Sequence, residues 1–226
     1  FPYTPLFRSI CARVPRFGAT SFYEAVQSMT LAHICIFMET LGETTCPGRI
    51  DQFLNPFYEK DVAAGNISRE RAKEILGAFC VKLCETIPMH GEVGTSTLGG
   101  LTSWEVVTIG GQDKDGNDAT NELSFILLEL ADELRMRQPN FHVRIHKNTP
   151  KAFYDEVIRI NFGAGSAPAM YNDETIIESM MNVGYSLEDA RNYVAIGCVE
   201  PTASGKSLAS TDAGMYNMPL AVEMAL

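Results

Sequence analysis

The sequence lacks the features that define several common functional classes. Its densest apolar stretch, at 33–38, is far shorter than the roughly 20 residues of a membrane-spanning helix, so we expect no membrane segment. Lys and Arg (18) are outnumbered by Asp and Glu (28), for a net charge of −10. This deficit argues against a nucleic-acid surface, because phosphates attract positive charge. An initiator methionine is also missing: the sequence begins at Phe1 and ends at Leu226 in an apolar stretch, as expected of a segment cut at both ends.

The six cysteines show neither a disulfide framework nor a zinc-binding spacing. Unpaired thiols in a chain of 226 residues indicate a reducing compartment. Cys80 and Cys84 lie one helical turn apart among apolar residues and are predicted to be buried.

Two ligand-binding patterns are incomplete. The segment 203–207 resembles the end of a phosphate loop, but Glu200 occupies the position of its first glycine. Asp113, Asp115 and Asn117 have the spacing of a calcium loop without its glycine and its bidentate glutamate. We therefore predict a solvated polar turn at 113–117 and no metal site.

The apolar residues, 46% of the chain, are arranged as in an α/β fold. Spacings of three and four predict helices at about 22–42, 68–87, 120–134, 151–162 and 173–184, with shorter ones after 50 and 186. Ser21 and Ser68 are predicted N-caps, Asp118 or Thr120 opens the helix near 120, and Asp173 caps the helix that follows it. Strands are predicted at 106–109, 141–145, 167–171 and 193–196. Because helices separate the strands, we expect parallel βαβ units without an internal domain boundary.

The strand at 141–145 carries an unusual polar face. Apolar residues alternate with His142, Arg144 and His146, which predicts a half-buried strand. The two histidines could bind a metal, but no carboxylate is near in sequence. An exposed polar face is the preferred interpretation.

The segment Gly197-Cys198-Val199-Glu200-Pro201 combines a thiol with a carboxylate two residues later. Residues i and i+2 of an extended strand point the same way, so we expect Cys198 and Glu200 to face one small volume. Gly197 allows close approach to the backbone, and Pro201 is predicted to end the strand. The alternative is a buried cysteine with a surface glutamate beyond the strand end.

Hydrogen-atom transfer fits this segment better than nucleophilic attack. A nucleophilic cysteine needs a histidine or a helix N-terminus that favours the thiolate, and the nearest upstream histidine is His146. A neutral S–H group is what hydrogen-atom transfer requires, and an adjacent carboxylate disfavours the thiolate.

Several motifs accompany the Gly197–Pro201 segment: Pro47–Gln52, Pro56–Tyr58, Gly65–Glu70, Thr108–Gly111, Asp115–Ser124, Gln138–Asn140, Val143–Lys147 and Asn172–Glu174. Together they resemble the motifs of the glycyl radical enzymes of the pyruvate formate-lyase superfamily, and the resemblance covers most of the chain. It implies part of a ten-stranded α/β barrel with many surrounding helices, in a cytoplasmic protein several times longer than this chain. Residues 1–226 are then a partial barrel domain, without the N-terminal part of the barrel and without the C-terminal glycyl radical domain.

The resemblance also implies a mechanism. A radical S-adenosylmethionine activating enzyme generates a glycyl radical, which lies outside this chain, and that radical oxidises a cysteine inside the barrel. Cys198 matches this cysteine, and Glu200 matches the carboxylate that serves as general base or acid in eliminating members. Asp212 matches an aspartate that contacts a substrate hydroxyl. No bound cofactor is implied; the expected partners are a small-molecule substrate, the activating enzyme and a second copy of the chain in a homodimer.

Two departures from the family narrow the function. Val199 replaces the second of two adjacent cysteines in pyruvate formate-lyase, which argues against acetyl transfer. Glu43 and Thr44 replace a His-Ser pair of the glycerol dehydratases, which argues against glycerol and leaves Thr44 as a candidate substrate-binding residue.

We therefore predict a glycyl radical lyase of the dehydratase type that cleaves a C–O, C–N or C–S bond in a small hydroxylated or amine substrate, and we expect residues 1–226 alone to be inactive. One alternative is an arylacetate decarboxylase of the same superfamily. Another is a formate acetyltransferase-like or non-catalytic segment.

Overall fold

The elements of the chain alternate between helices and strands after an all-helical start. A computed structural model describes residues 5–39, 45–86, 91–92, 95–96, 105–163, 168–207 and 217–226. Its helices are α1 (Pro5–Cys11), α2 (Phe22–Glu39), α3 (Ile50–Phe53), α4 (Asn55–Ala63), α5 (Arg69–Glu85), α6 (Glu122–Leu134), α7 (Lys151–Phe162), α8 (Asp173–Asn182), α9 (Leu187–Arg191) and α10 (Met218–Ala225). Its strands are β1 (Val106–Gly110), β2 (Asn140–Ile145), β3 (Ala169–Asn172), β4 (Tyr193–Ile196) and β5 (Glu200–Ala203). No helix in these ranges has the length and apolarity needed to cross a membrane.

Three strands form a parallel sheet in the order β1-β2-β3. Thr108 lies opposite His142, and Arg144 lies opposite Tyr171, so these side chains share one face of the sheet. Helix α6 connects β1 to β2 and α7 connects β2 to β3. The predicted parallel βαβ units are confirmed for these three strands.

The other face of the sheet packs against helices and forms the main hydrophobic core. Val107, Ile109 and Val143 contribute from the strands, and all three are fully buried. Helices α5, α6 and α7 contribute their apolar faces to the same cluster. Burying both faces of a parallel sheet is the usual requirement of this architecture.

The helix starts follow local capping chemistry, with two differences from prediction. Ser21 accepts a hydrogen bond from the Glu24 backbone N–H, and Ser68 accepts one from that of Arg71, as predicted. Helix α6, however, is capped by Asn121 rather than by Asp118 or Thr120. Helix α8 is capped by Asn172, because the carboxylate of Asp173 is engaged elsewhere.

The prediction of an exposed polar face on β2 is wrong. His142, Arg144 and His146 are all buried, with exposures of 1%, 0% and 8%. The prediction failed because their partners lie far away in sequence: Arg144 pairs with Asp173, and the ring of His146 hydrogen-bonds Asp118. A buried polar face of this kind must be satisfied by other polar groups.

The last strands form an antiparallel hairpin apart from the sheet. β4 pairs with β5, and Ile196 lies opposite Glu200. All four residues of β4 are buried, as predicted, but β4 does not join the parallel sheet among the described residues. Pro201 does not end the strand, since it lies inside β5 opposite Ala195.

Candidate active site

Cys198 lies at the tip of the β4–β5 hairpin. Gly197, Cys198 and Val199 form the turn between the two strands. Gly197 has φ +59°, a left-handed conformation that glycine adopts without steric cost. The prediction that Cys198 and Glu200 lie on one extended strand is therefore wrong, because the chain reverses direction between them.

Glu200 nevertheless remains next to the cysteine. Its carboxylate Oε2 accepts a hydrogen bond of 2.9 Å from the Val199 backbone N–H, which belongs to the peptide that follows Cys198. The carboxylate therefore lies over the turn. Cys198 is exposed and Glu200 is half-buried, so the alternative of a buried cysteine is wrong for the described part of the chain.

The buried polar face of the sheet holds this hairpin through backbone carbonyl groups. The Arg144 guanidinium donates to the Tyr193 carbonyl at 3.0 Å, and the His142 ring interacts with the Ala195 backbone. The Tyr171 hydroxyl donates to the Cys198 carbonyl at 2.7 Å. Strands β2 and β3 thus fix the hairpin from its base to its tip.

Arg144 is the centre of the contacts at the hairpin base. Its Nε and Nη2 donate to the two carboxylate oxygens of Asp173 at 2.8 and 2.9 Å. The guanidinium also stacks on the Tyr193 ring at 3.9 Å from the ring centroid. The Tyr193 hydroxyl donates to Asp173 at 2.8 Å. Such a bidentate pair combines strength with a fixed geometry.

His142 is neutral in this environment. Burial lowers the pKa of its ring to about 4, and the Ala195 carbonyl and the negative charge of Glu200 oppose this effect only in part. Its Nδ1 atom has no hydrogen-bond partner among the described residues. The ring packs on that of Tyr171, with centroids 4.8 Å apart and a tilt of 48°.

Tyr171 connects the sheet to the tip of the hairpin. Burial raises the pKa of its hydroxyl to about 12, and Glu200 and Cys198 act in the same direction. The phenol is therefore protonated at neutral pH and serves as a hydrogen-bond donor to the Cys198 carbonyl.

The Gly48–Gln52 motif has a structural role at the end of β1. The Arg49 guanidinium donates to the Gly110 carbonyl at 2.9 Å. Asp51 accepts from the Gly110 N–H at 2.8 Å and from the Ser124 hydroxyl at 2.6 Å. Burial and the neighbouring charge of Arg144 lower the pKa of Arg49 to about 10, so it remains cationic.

A second buried polar cluster precedes β1, and sequence reasoning did not identify it. The His33 ring lies 2.7 Å from a carboxylate oxygen of Glu105, and the Thr45 hydroxyl donates to the same carboxylate at 3.3 Å. Burial raises the pKa of the nearby Cys46 thiol to about 11. The only sequence signal was His33 on an otherwise apolar helix face.

The remaining predictions concern two substrate-binding candidates and the polar turn at 113–117. Thr44 and Asp212 lie outside the described residues. The polar turn is confirmed, since Asp113 accepts from the N–H groups of Asp115 and Asn117 at 2.8 Å each. Within the described ranges no group of three or more His, Cys, Asp or Glu side chains could hold a metal.

All six cysteines are free. Cys80 is buried as predicted, but Cys84, in the last turn of α5, is exposed.

The comparisons with known proteins agree on one family. Residues 7–226 match the model of the pyruvate formate lyase-like family. The chain is 36% identical over 224 residues to trans-4-hydroxy-L-proline dehydratase of Clostridioides difficile, covering 98% of this chain and 28% of that protein. It is 37% identical over 216 residues to isethionate sulfite-lyase of Bilophila wadsworthia, covering 94% of this chain and 26% of that protein.

The structural comparison agrees. A glycyl radical enzyme from Archaeoglobus fulgidus superposes with a TM-score of 0.88 at 37% identity, covering 92% of this chain and 27% of that one. Indoleacetate decarboxylase of Tractidigestivibacter scatoligenes is a more distant relative, with 28% identity. The chain thus spans about a quarter of the length of the proteins it matches.

The chain belongs to the pyruvate formate lyase-like family. The predicted fold class is confirmed: the parallel sheet and its helices are a partial α/β region of the barrel found in glycyl radical enzymes. The dehydratase and the sulfite-lyase share 36% and 37% identity with the chain, whereas the decarboxylase shares 28%.

Proposed function

We propose that residues 1–226 are the cysteine-bearing part of the barrel of a glycyl radical lyase, and that Cys198 and Glu200 are its catalytic residues. The observation that carries this proposal is the position of Cys198, whose free, exposed thiol lies at the tip of a hairpin that buried side chains hold in place. The Glu200 carboxylate over the same turn adds the acid–base group that an elimination requires.

Cys198 would act on the substrate by moving a hydrogen atom. A glycyl radical, installed elsewhere in the polypeptide by a radical S-adenosylmethionine activating enzyme, would supply the unpaired electron by taking the hydrogen atom of the Cys198 S–H group. The sulfur radical of Cys198 then takes a hydrogen atom from a substrate carbon that bears a hydroxyl or amine. An S–H bond forms, a C–H bond breaks, and the unpaired electron passes to the substrate carbon.

Glu200 would promote the elimination that follows. Its carboxylate removes the proton of the substrate hydroxyl, and the neighbouring leaving group departs with its bonding electrons. The product radical then recovers a hydrogen atom from Cys198, which restores the sulfur radical. Positioned acid–base assistance of this kind contributes roughly 10²–10⁴-fold to a rate.

The reaction type and the partners are proposed from the likeness to the family. Val199 in place of a second cysteine argues against acetyl transfer, and the nearer relatives support dehydration or lyase chemistry on a small molecule. We assign Asp212 and Thr44 to substrate binding, and we expect a homodimer in the cytoplasm. The six free thiols support a reducing compartment.

The test uses the full-length polypeptide, activated without oxygen by its activating enzyme. Cys198→Ala should retain the glycyl radical signal in electron paramagnetic resonance and lose all turnover. Glu200→Gln should retain the signal and lose roughly 10²–10⁴-fold in elimination rate. Two matched controls should behave as wild type: Cys84→Ala, at another exposed cysteine, and Glu188→Gln, at an exposed glutamate on α9.

Substantial turnover by Cys198→Ala would overturn the assignment. Release of carbon dioxide, without a dehydration product, would identify an arylacetate decarboxylase instead. A full-length protein that cannot be activated at all would favour the non-catalytic alternative.

A further inference from the structure

One peptide unit at the hairpin tip is held from both sides. The carbonyl of Cys198 accepts from the Tyr171 hydroxyl at 2.7 Å. The N–H of Val199, which belongs to the same peptide plane, donates to Glu200 at 2.9 Å. These two hydrogen bonds together fix the backbone that follows Cys198.

The two side chains that hold this peptide, Glu200 and Tyr171, differ in their role during the proposed turnover. Glu200 is half-buried and is the acid–base group of the proposed mechanism, so its carboxylate must accept a proton during turnover. A protonated carboxyl accepts hydrogen bonds less strongly than a carboxylate does. The Tyr171 side chain is buried, and its phenol takes no part in the proposed chemistry. The hydrogen bond from Tyr171 to the Cys198 carbonyl therefore remains when the hydrogen bond from Val199 to Glu200 weakens.

The Tyr171 ring is itself supported. The His142 ring packs against it at 4.8 Å between centroids. The His142 ring also interacts with the Ala195 backbone of the same hairpin. Both residues project from the buried polar face of the parallel sheet, and sites supported by strands are held more precisely than sites supported by loops.

We propose that Tyr171, backed by His142, is a positioning residue that keeps Cys198 in place for hydrogen-atom transfer while Glu200 changes its protonation state. The inference rests on the proposed function of Cys198. It adds that the hydroxyl of Tyr171, and not only its ring, is required for turnover.

The experiment compares Tyr171→Phe with Tyr154→Phe in the activated full-length protein. Tyr171→Phe removes the hydroxyl and retains the ring, and Tyr154 is an exposed tyrosine on α7. Small misplacements of a reacting group can cost about 10²-fold. We expect kcat of Tyr171→Phe to fall roughly 10- to 100-fold, with KM and the glycyl radical yield unchanged. Hydrogen transfer then limits the rate, so the isotope effect with substrate deuterated at the reacting carbon should increase.

A second measurement does not depend on radical chemistry. The rate at which iodoacetamide alkylates Cys198, followed by mass spectrometry in unactivated protein, reports the mobility of the turn. Tyr171→Phe should accelerate this alkylation relative to Tyr154→Phe. If Cys198→Ala proves active, the proposed function fails; accelerated alkylation in Tyr171→Phe would still establish the positioning contact.

Three results would overturn the proposal. The first is wild-type kcat and alkylation rate in Tyr171→Phe. The second is an equal loss in Tyr154→Phe. The third is a loss of activity that accompanies a lower melting temperature or a lower radical yield, because Tyr171 would then support folding or activation rather than the position of Cys198.

Discussion

Arg144 and Asp173 form a bidentate ion pair in which neither side chain is exposed to solvent. The pair joins the end of β2 to the start of α8. Through its remaining donors Arg144 also binds the Arg191 and Tyr193 carbonyls at 2.9 and 3.0 Å, just before and at the start of the hairpin that carries Cys198. One buried guanidinium thus fixes the base of the proposed catalytic hairpin.

Arg144→Gln should destabilise the protein severely. The change leaves the Asp173 carboxylate buried without its partner, which typically costs about 3–5 kcal/mol. Thermal and urea unfolding would measure the loss. Arg159→Gln is the matched control, since Arg159 pairs with the carboxylates of Asp132 and Glu156 but is 55% exposed. This change should lower the free energy of unfolding by less than about 1 kcal/mol. Equal shifts for the two variants would contradict this role of Arg144.

Gly111 is predicted to be intolerant of any side chain. It has φ +84°, and a Cβ atom there would lie 2.5 Å from Nε of Arg144. Gly184 has a similar φ of +105° but open space around it. Gly184→Ala should therefore lower the free energy of unfolding by the backbone strain alone, about 1–2 kcal/mol.

Gly111→Ala should lower the free energy of unfolding by the same strain, and by about 1–3 kcal/mol more because the added methyl group overpacks the space beside Arg144. It should also lower turnover of the activated protein, because it displaces the guanidinium that holds the hairpin. The melting temperatures of the two variants give the comparison. A shift for Gly111→Ala no larger than that for Gly184→Ala would show that the neighbourhood of Arg144 adapts freely.

The local features of this fold were predictable from sequence, and the long-range ones were not. Ser21 and Ser68 cap helices as expected, because capping depends on residues three apart. The polar face of β2 was wrongly predicted to be exposed to solvent, because Arg144 binds Asp173 and Tyr193, which lie 29 and 49 residues later in the chain.

The candidate site shows the same division. The Cys198 and Glu200 pair was identified from its spacing, yet the turn between them was missed. Gly197-Cys198-Val199 contains no Asn-Gly or Asp-Gly signal of a tight hairpin. Tyr171 gave no sequence signal, since its role depends on a contact across 27 residues.

Stability should depend on pH through His142. Burial lowers the pKa of the folded ring from 6.5 to about 4, whereas the unfolded ring takes up a proton near its ordinary value. Between these values the unfolded state binds more protons, so the free energy of unfolding falls as the pH falls. The slope reaches at most about 1.4 kcal/mol per pH unit.

His142→Gln isolates this contribution, because all other titrating groups are shared with the wild type. Urea unfolding at pH 7.5 and pH 5 should show that the stability difference between wild type and variant shrinks at the lower pH. A difference that stays constant across the two pH values would mean that His142 titrates normally in the folded protein.

Burial should also divide the cysteines by reactivity. Cys80 and Cys84 lie on α5, and only Cys80 is buried. Burial raises the pKa of Cys80 to about 12 and that of Cys46 to about 11. Because the thiolate is the species that reacts, the reactive fraction at pH 8 is on the order of 10⁻⁴ for Cys80 and 10⁻³ for Cys46.

Iodoacetamide labelling of the folded protein at pH 8, read by mass spectrometry of the peptides, tests this division. Cys84 should be modified while Cys80, four residues earlier on the same helix, stays unmodified. Labelling in urea is the control and should modify both equally, because unfolding removes the burial that raises the pKa of Cys80. Equal labelling rates of Cys80 and Cys84 in the folded protein would show that the packing of α5 on α6 opens on the labelling timescale. The core behind the sheet would then be too mobile to hold the candidate site in place.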